Sequence, residues 1–138
     1  MAADIDTAVV TCIRLCAPVL ALVVDRVRPV ALAQTDIRPA ITYEPVDEDN
    51  FGGVDGSRSE ITLTTFDLDI YADSYSQARD IARDLREHLD HEKFIVDDLE
   101  CIWFCDGSQP VHEKPTDGAP APIYHFRQTY RLQWRSVA

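Results

Sequence analysis

Between Ile61 and His91 the spacing of apolar residues switches from every second position to a helical repeat. Phe66, Leu68 and Ile70 alternate with Asp67, Asp69 and Tyr71, which predicts a strand with one buried face. Ala78, Ile81, Ala82, Leu85 and Leu89 then recur at helical spacing, with Gln77, Arg79, Asp80, Arg83, Asp84, Arg86 and Glu87 on the opposite face. Ser74, followed three residues later by Gln77, has the form of a capping box at the helix start. The link Ala72-Asp73-Ser74 is short enough for the two apolar faces to meet. A strand over Phe94–Phe104 would complete a β-α-β unit with a right-handed crossover.

The flanking segments extend this unit on both sides. Ile5, Val9, Cys12, Ile13 and Cys16 predict an N-terminal helix over Asp4–Cys16, capped by Asp4 or Asp6. Pro18 ends it or opens a new short helix, and Val19–Val24 is apolar throughout and predicted buried. Asp25–Arg38 reads as irregular, punctuated by Pro29 and Pro39. Ala40–Val46 alternates as a strand, and Asp47–Ser57 reads as the loop of a long hairpin. The next strand changes parity, because Ile61 and Leu63 are odd while Phe66, Leu68 and Ile70 are even. Either a bulge near Thr64–Thr65 reconciles them, or the odd face is buried elsewhere, for instance against another subunit.

Gly107–Pro122 carries four prolines and two glycines and predicts an extended arm. After it, Tyr124, Phe126, Tyr130, Leu132 and Trp134 alternate with His125, Arg127, Thr129, Arg131, Gln133 and Arg135. The expected order is therefore α-β-β-α-β-β: an α+β fold with a mixed four-stranded sheet and helices packed mainly on one face. One domain spanning residues 1–138 is expected, with extended loops at 47–58 and 107–122.

A formal charge of −11 over 138 residues excludes a duplex DNA reader, which needs clustered Lys and Arg. Asp4 and Asp6 stand where an export signal needs basic residues, and Ala8–Val24 is too short, with Arg14 inside it, to span a bilayer. The reading is of a soluble, non-exported protein without a membrane partner.

Four cysteines, Cys12, Cys16, Cys101 and Cys105, raise the question of zinc. In a strand, Cys101 and Cys105 would lie about 13 Å apart, whereas two thiolates on one zinc lie about 4 Å apart. Buried structural thiols are the expectation. The stretch from Asp47 fails as a calcium loop, since Phe51 and Arg58 fall where oxygen ligands are required. His88, Asp90, His91 and Glu92 sit at a helix C-terminus, where histidine is favoured by the dipole alone. Asp67 and Asp69 could imitate a nuclease carboxylate pair, but they also face the Arg127, Arg131, Arg135 ladder, with which cross-strand pairs would form if the strands are neighbours. No phosphate loop, nucleophile elbow or Cys/His pair is present. No catalytic residue, cofactor or metal is expected.

What remains is interaction surface. Residues 44–60 hold six acids and one arginine, whereas 123–138 hold three arginines and no acid. A subunit with opposite charges on different edges can pair head to tail, and such pairing closes into rings. Asp47, Glu48, Asp49 and Phe51 on one side, with Arg127, Arg131 and Arg135 on the other, are the candidate subunit and partner contacts. Trp103 and Trp134 are either interface anchors or core residues.

The order of elements also resembles a known family. An N-terminal helix leads into Pro18-Val-Leu-Ala-Leu-Val-Val24 and Asp25-Arg26-Val27. Pro39-Ala-Ile-Thr-Tyr43 follows, then Phe66-Asp-Leu-Asp-Ile-Tyr71 running straight into Ala72-Asp-Ser-Tyr-Ser-Gln-Ala-Arg79, and the chain closes on Tyr130-Arg-Leu-Gln-Trp134. This resembles the tail-terminator and tail-completion (head–tail joining) proteins of long-tailed bacteriophages; the proline-rich arm falls outside the likeness.

The resemblance implies a homo-oligomeric ring, usually a hexamer, in the neck of the virion, assembled in the host cytoplasm. Tail-tube protein would bind one face, the head connector or stopper the other, and DNA would pass the lumen without specific binding. A net negative ring fits that last expectation, because it would repel passing phosphates. The competing readings are another neck protein (adaptor or stopper), an acidic DNA mimic, and a small metal-dependent nuclease using Asp67, Asp69 and a histidine.

Overall fold

A computed structural model describes residues 4–30, 37–52, 58–111 and 124–136, with backbone alone at 50–52 and 58–60. The elements are α1 (Ile5–Arg14), α2 (Ala17–Val23), β1 (Val27–Pro29), β2 (Ala40–Gly52), β3 (Arg58–Ala72), α3 (Tyr75–Leu89), β4 (Lys93–Val96), β5 (Leu99–Val111) and β6 (Tyr124–Ser136). The strands form one six-stranded sheet in the order β1-β2-β3-β6-β5-β4. Only the β1–β2 pairing is parallel, so the sheet is mixed.

Four strands were expected and six are found. The two additions are the two edges. Arg26 O accepts from Ile41 N, and Tyr43 O accepts from Val30 N, which draws the stretch read as irregular into β1. The expected strand Phe94–Phe104 is two strands folded at Asp97-Asp98, where Asp97 takes a φ of 52°. The expected β-α-β connection is therefore a split one, interrupted by β4 and with another strand between its two parallel members. α3 delivers the chain to β4 at the far edge, and β5, which runs parallel to β3, has β6 between them.

The parity change has a different origin from the expected bulge near Thr64–Thr65. β3 pairs with β6 without interruption from Thr62 to Ala72. The extra residue is Val46 in β2, between the pairs Pro45–Phe66 and Asp47–Thr65. Ile61 and Leu63 therefore belong to the opposite face from Phe66, Leu68 and Ile70. The two expected loops also contract. β2 continues to Gly52 and β3 begins at Arg58, while β5 continues to Val111, so pairing takes over residues that composition alone assigned to turns. Residues 53–57 and 112–123, the remainder of those loops, lie outside the described residues.

All three helices cover one face of the sheet. Phe66, Leu68, Ile70, Tyr130, Leu132, Cys101 and Trp103 project from that face and are buried. Against them lie Ala78, Ile81, Ala82, Leu85 and Leu89 of α3 and Val9, Cys12 and Ile13 of α1. Both N-caps form, the second as the serine half of the expected capping box: Asp4 Oδ1 accepts from Asp6 N at 2.9 Å, and Ser74 Oγ accepts from Gln77 N at 3.1 Å. Pro18 starts α2 rather than merely ending α1. No single helix is long and apolar enough to cross a membrane, and α1 and α2 meet at a bend of 98°.

The largest fully buried polar side chain among the described residues lies under α3. Gln128 occupies an inward position of β6 and is 1% exposed. Its Nε2 donates to Ala82 O of α3 at 2.7 Å, and its Oε1 accepts from Tyr130 Oη at 2.9 Å. Both ends of the amide are thus engaged, Nε2 across the helix–sheet boundary and Oε1 within β6. Gln128→Leu keeps the volume but strands the buried tyrosine hydroxyl. It should lower stability by about 1–3 kcal/mol, and the additional change Tyr130→Phe should recover most of that loss. Chemical denaturation of the single and double variants measures both, and a double variant no more stable than Gln128→Leu would count against the bridge.

Candidate functional site

The face of the sheet away from the helices carries the polar alternates of β3 and β6. Their register sets Asp69 against Arg127, Asp67 against Thr129, Thr65 against Arg131 and Leu63 against Gln133. The expected cross-strand pairing of an acid with the arginine ladder is observed at Asp69, whereas Asp67 meets a threonine. Arg127 Nε donates to Asp69 Oδ1 at 2.9 Å, and Thr129 Oγ1 donates to Asp67 Oδ1 at 2.8 Å. The other two arginines reach the opposite neighbour strand, β5: Arg131 Nε to Asp106 Oδ1 at 2.8 Å, and Arg135 Nη2 to Glu100 Oε2 at 3.4 Å. All three arginines of the ladder therefore hold a carboxylate of their own subunit.

Asp69 is the most enclosed of these acids, at 6% exposed. It also accepts from His125 Nε2 at 2.6 Å. Because an ionised carboxylate has no proton to give, the Nε2 tautomer is the donor. The His125 ring stacks on Tyr71 with centroids 4.4 Å apart. Burial pushes the Asp69 carboxyl up, but the hydrogen bonds and charges of His125 and Arg127 outweigh it and hold the group below the ordinary carboxylate range. Arg127 is shifted up by the same contact.

This cluster has the membership of a nuclease site without its availability. Asp69 Oδ1 is already shared by an imidazole and a guanidinium, and Asp67 is held by Thr129. Among the described residues no three His, Cys, Asp or Glu side chains converge to hold a metal ion. His88, another expected metal-capable group, is engaged through Nε2 with Cys12 O at 3.1 Å and lies against Phe94. Asp90 Oδ1 accepts from Cys105 N at 2.8 Å, which ties the end of α3 to β5. The thiols behave as core. Burial pushes Cys12 up to about 12 and Cys101 up to about 11, so both remain protonated at neutral pH. The buried Trp103 indole N–H has no hydrogen-bond partner among the described residues.

The remaining candidate contacts lie on the β2 arm. Asp47, Glu48 and Asp49 are exposed. Glu48 Oε1 accepts from Thr64 Oγ1 at 3.3 Å, and that hydroxyl in turn accepts from Trp134 Nε1 at 3.0 Å, so Trp134 is half core and half arm support. The side chain of Phe51 lies outside the described residues. Asp47 and Arg131 share a face and a transverse row with Thr65 between them, two strands apart. Within one subunit, then, acids 47–49 and the arginine ladder are separated by β3 and are not joined by any of the ion pairs described above.

Two features of this surface escape sequence reading. One is the depth of the Asp69–His125 pair, since alternation marks both residues as outward. The other is a shallow pocket of about 150 Å³ where β3, β6 and β5 meet, lined by Ile61, Glu100, Ile102, Gln133, Trp134 and Arg135. The odd parity of Ile61 is the signal that pointed there.

No family model and no curated protein matches the sequence. Among solved structures, the chain is similar to a chain of one described as "Virion of native gene transfer agent (GTA) particle". The TM-score is 0.64 and the identity 13%, over 91% of this chain and 90% of the other. At that identity the likeness is one of fold.

Proposed function

We propose that the chain is a non-enzymatic structural protein of a phage-like virion. Its finer role is that of a ring-forming tail terminator, which caps the tail tube, stops its growth and joins the tail to the head connector. The observation that carries the reading is the fold likeness to a virion chain over nine-tenths of both molecules. It agrees with the resemblance carried by the order of elements and by the Phe66–Arg79 strand–helix joint. The saturated Asp69 cluster supports a structural rather than a catalytic role, because its hydrogen-bonding oxygen is committed to the protein itself.

In this reading the ring is a homo-oligomer, a hexamer by resemblance. Asp47, Glu48, Asp49 and Phe51 of one copy approach Arg127, Arg131 and Arg135 of the next. Exposed ion pairs of this kind contribute only about 0.2–1 kcal/mol each, so they tune the contact rather than hold it.

Sedimentation and negatively stained images of the purified chain test the proposal, followed by binding to purified tail-tube and connector proteins. Closed rings that bind tail-tube protein and block its polymerisation are the expected result. Rings that bind the connector alone would replace the terminator role with that of an adaptor or stopper. A monomer at all concentrations, alone and with either partner, would sink the reading.

A further inference from the structure

At the end of the sheet where β6 begins, four strands meet in register. Ala40 of β2, Tyr71 of β3, His125 of β6 and Val111 of β5 form one row, and Thr42, Asp69, Arg127 and Gln109 another. On the helix side of these strands Ile70, Ala72 and Phe126 are buried, and the Phe126 ring meets Tyr75 at the start of α3. On the other side a single carboxylate oxygen makes the join. Asp69 Oδ1 on β3 accepts from both His125 Nε2 and Arg127 Nε on β6, at 2.6 and 2.9 Å, and the His125 ring lies on Tyr71. Further along β6 the tie is of another kind, because Gln128, Tyr130 and Leu132 are sunk in the core.

The neighbouring groups of this face are set for other tasks. Asp67, two residues from Asp69 on β3, accepts from Thr129, and Glu44 of β2 stands opposite Asp67. Thr42 of β2, opposite Asp69, carries no charge, and Arg28 of β1 lies beyond it with an interaction of its own. Gln109 of β5, opposite Arg127, is neutral. Asp73, just past the end of β3, is paired with Arg38 at 2.6 Å. Asp69 is thus the carboxylate on which the imidazole and the guanidinium of β6 converge.

We infer that this cluster is an acid-operated latch: protonation of Asp69 lets the paired ends of β5 and β6, residues 109–111 and 124–127, part from β3 while β6 from Gln128 onward stays in place. One oxygen carries two charge-assisted hydrogen bonds, so one proton weakens both together. The end of a ladder also opens more readily than its middle. The direction of the shift at Asp69 sets the window. Its folded value lies below the unfolded one, so the latch is closed above the ordinary carboxylate pKa of about 4 and opens as the pH falls through the folded value. The latch belongs to the single subunit and stands independently of the virion role.

Hydrogen exchange of the full chain, read by mass spectrometry from neutral pH into acid and expressed as protection relative to the intrinsic rate, tests the latch. Segments covering 69–72 and 124–127 should lose about tenfold or more of their protection at a pH where 128–134 keeps its own. In Asp69→Asn the same segments should be open already at neutral pH and show no further selective loss in acid. Arg127→Gln removes only the half-exposed partner; it should give a smaller loss at neutral pH and keep the acid transition. That variant and the wild type decide the question if Asp69→Asn fails to fold. Loss of protection along all of β6 at once would overturn the latch. So would protection of 124–127 that holds in acid, or an Asp69→Asn chain as protected there as the wild type at neutral pH.

Discussion

Leu85→Ala is expected to lower the free energy of unfolding by about 2–5 kcal/mol, the range for truncating a leucine where the surroundings cannot collapse. Leu85 is fully buried in the middle of α3, within the cluster that includes Phe66, Leu68 and Ile70 of the sheet. Its neighbours on the stripe, Ile81 and Leu89, are equally enclosed, and Gln128 pins the helix to β6 through Ala82 O. A helix held in that way cannot slide down to fill the vacated volume, which argues for the upper part of the range. Urea unfolding followed by far-ultraviolet circular dichroism measures the change. A loss under about 0.5 kcal/mol would mean that α3 does not bear on the core as described.

Asp69→Asn is expected to cost about 2–3 kcal/mol at neutral pH, because hydrogen bonds to an ionised group are the stronger kind. The half-exposed Arg127 can turn to water, so the buried imidazole of His125 carries most of the loss. The pH dependence follows from the direction of the shift. The folded-state pKa of Asp69 lies below its unfolded value. Its contribution is therefore complete above the ordinary carboxylate pKa of about 4 and is lost as the pH falls through the folded value. Wild type and Asp69→Asn should differ fully at pH 7 and converge in acid, since asparagine does not titrate. Denaturation curves collected across the acid range test this. A gap that stays constant down to the lowest pH at which both fold would remove Asp69 ionisation as its cause.

The central strand–helix joint was legible because each half satisfies a single period and a cap marks the boundary. The outer strands were not legible for reasons that can be named. β1 is held by a parallel pairing to β2 and has no pattern of its own over three residues. The fold at Asp97-Asp98 hides in an apolar run because a two-residue turn displaces no more residues than a strand position and its neighbour. Ile61 and Leu63 announce that the apolar side has changed, but a single strand's pattern cannot say whether the strand bulges or its other face turns apolar; here β3 runs on unbroken and the extra residue, Val46, is on β2.

The site divides in the same way. Pairing of Asp69 with Arg127 was readable as a cross-strand possibility. The partners of Arg131 and Arg135 were not, because they depend on the β5–β6 register and its irregularity between Cys105 and Gly107. Gln128 is the sharpest case. Its position is inward by alternation and its chemistry outward by composition, and only the carbonyl of Ala82 and the hydroxyl of Tyr130 explain why position prevails.

The last strand of the sequence lies in the interior of the sheet, between β3 and β5. During synthesis the β2–β3 hairpin and the β4–β5 hairpin therefore emerge with no ladder joining them, and α3 has only half a floor to rest on. Tyr130, Leu132 and Phe126 arrive together and close both halves at once, over separations that make closure slow relative to local folding. An unfinished chain keeps the inner edge of β3 open and lacks the joined sheet. The sheet is therefore complete only once the chain has been synthesised through β6.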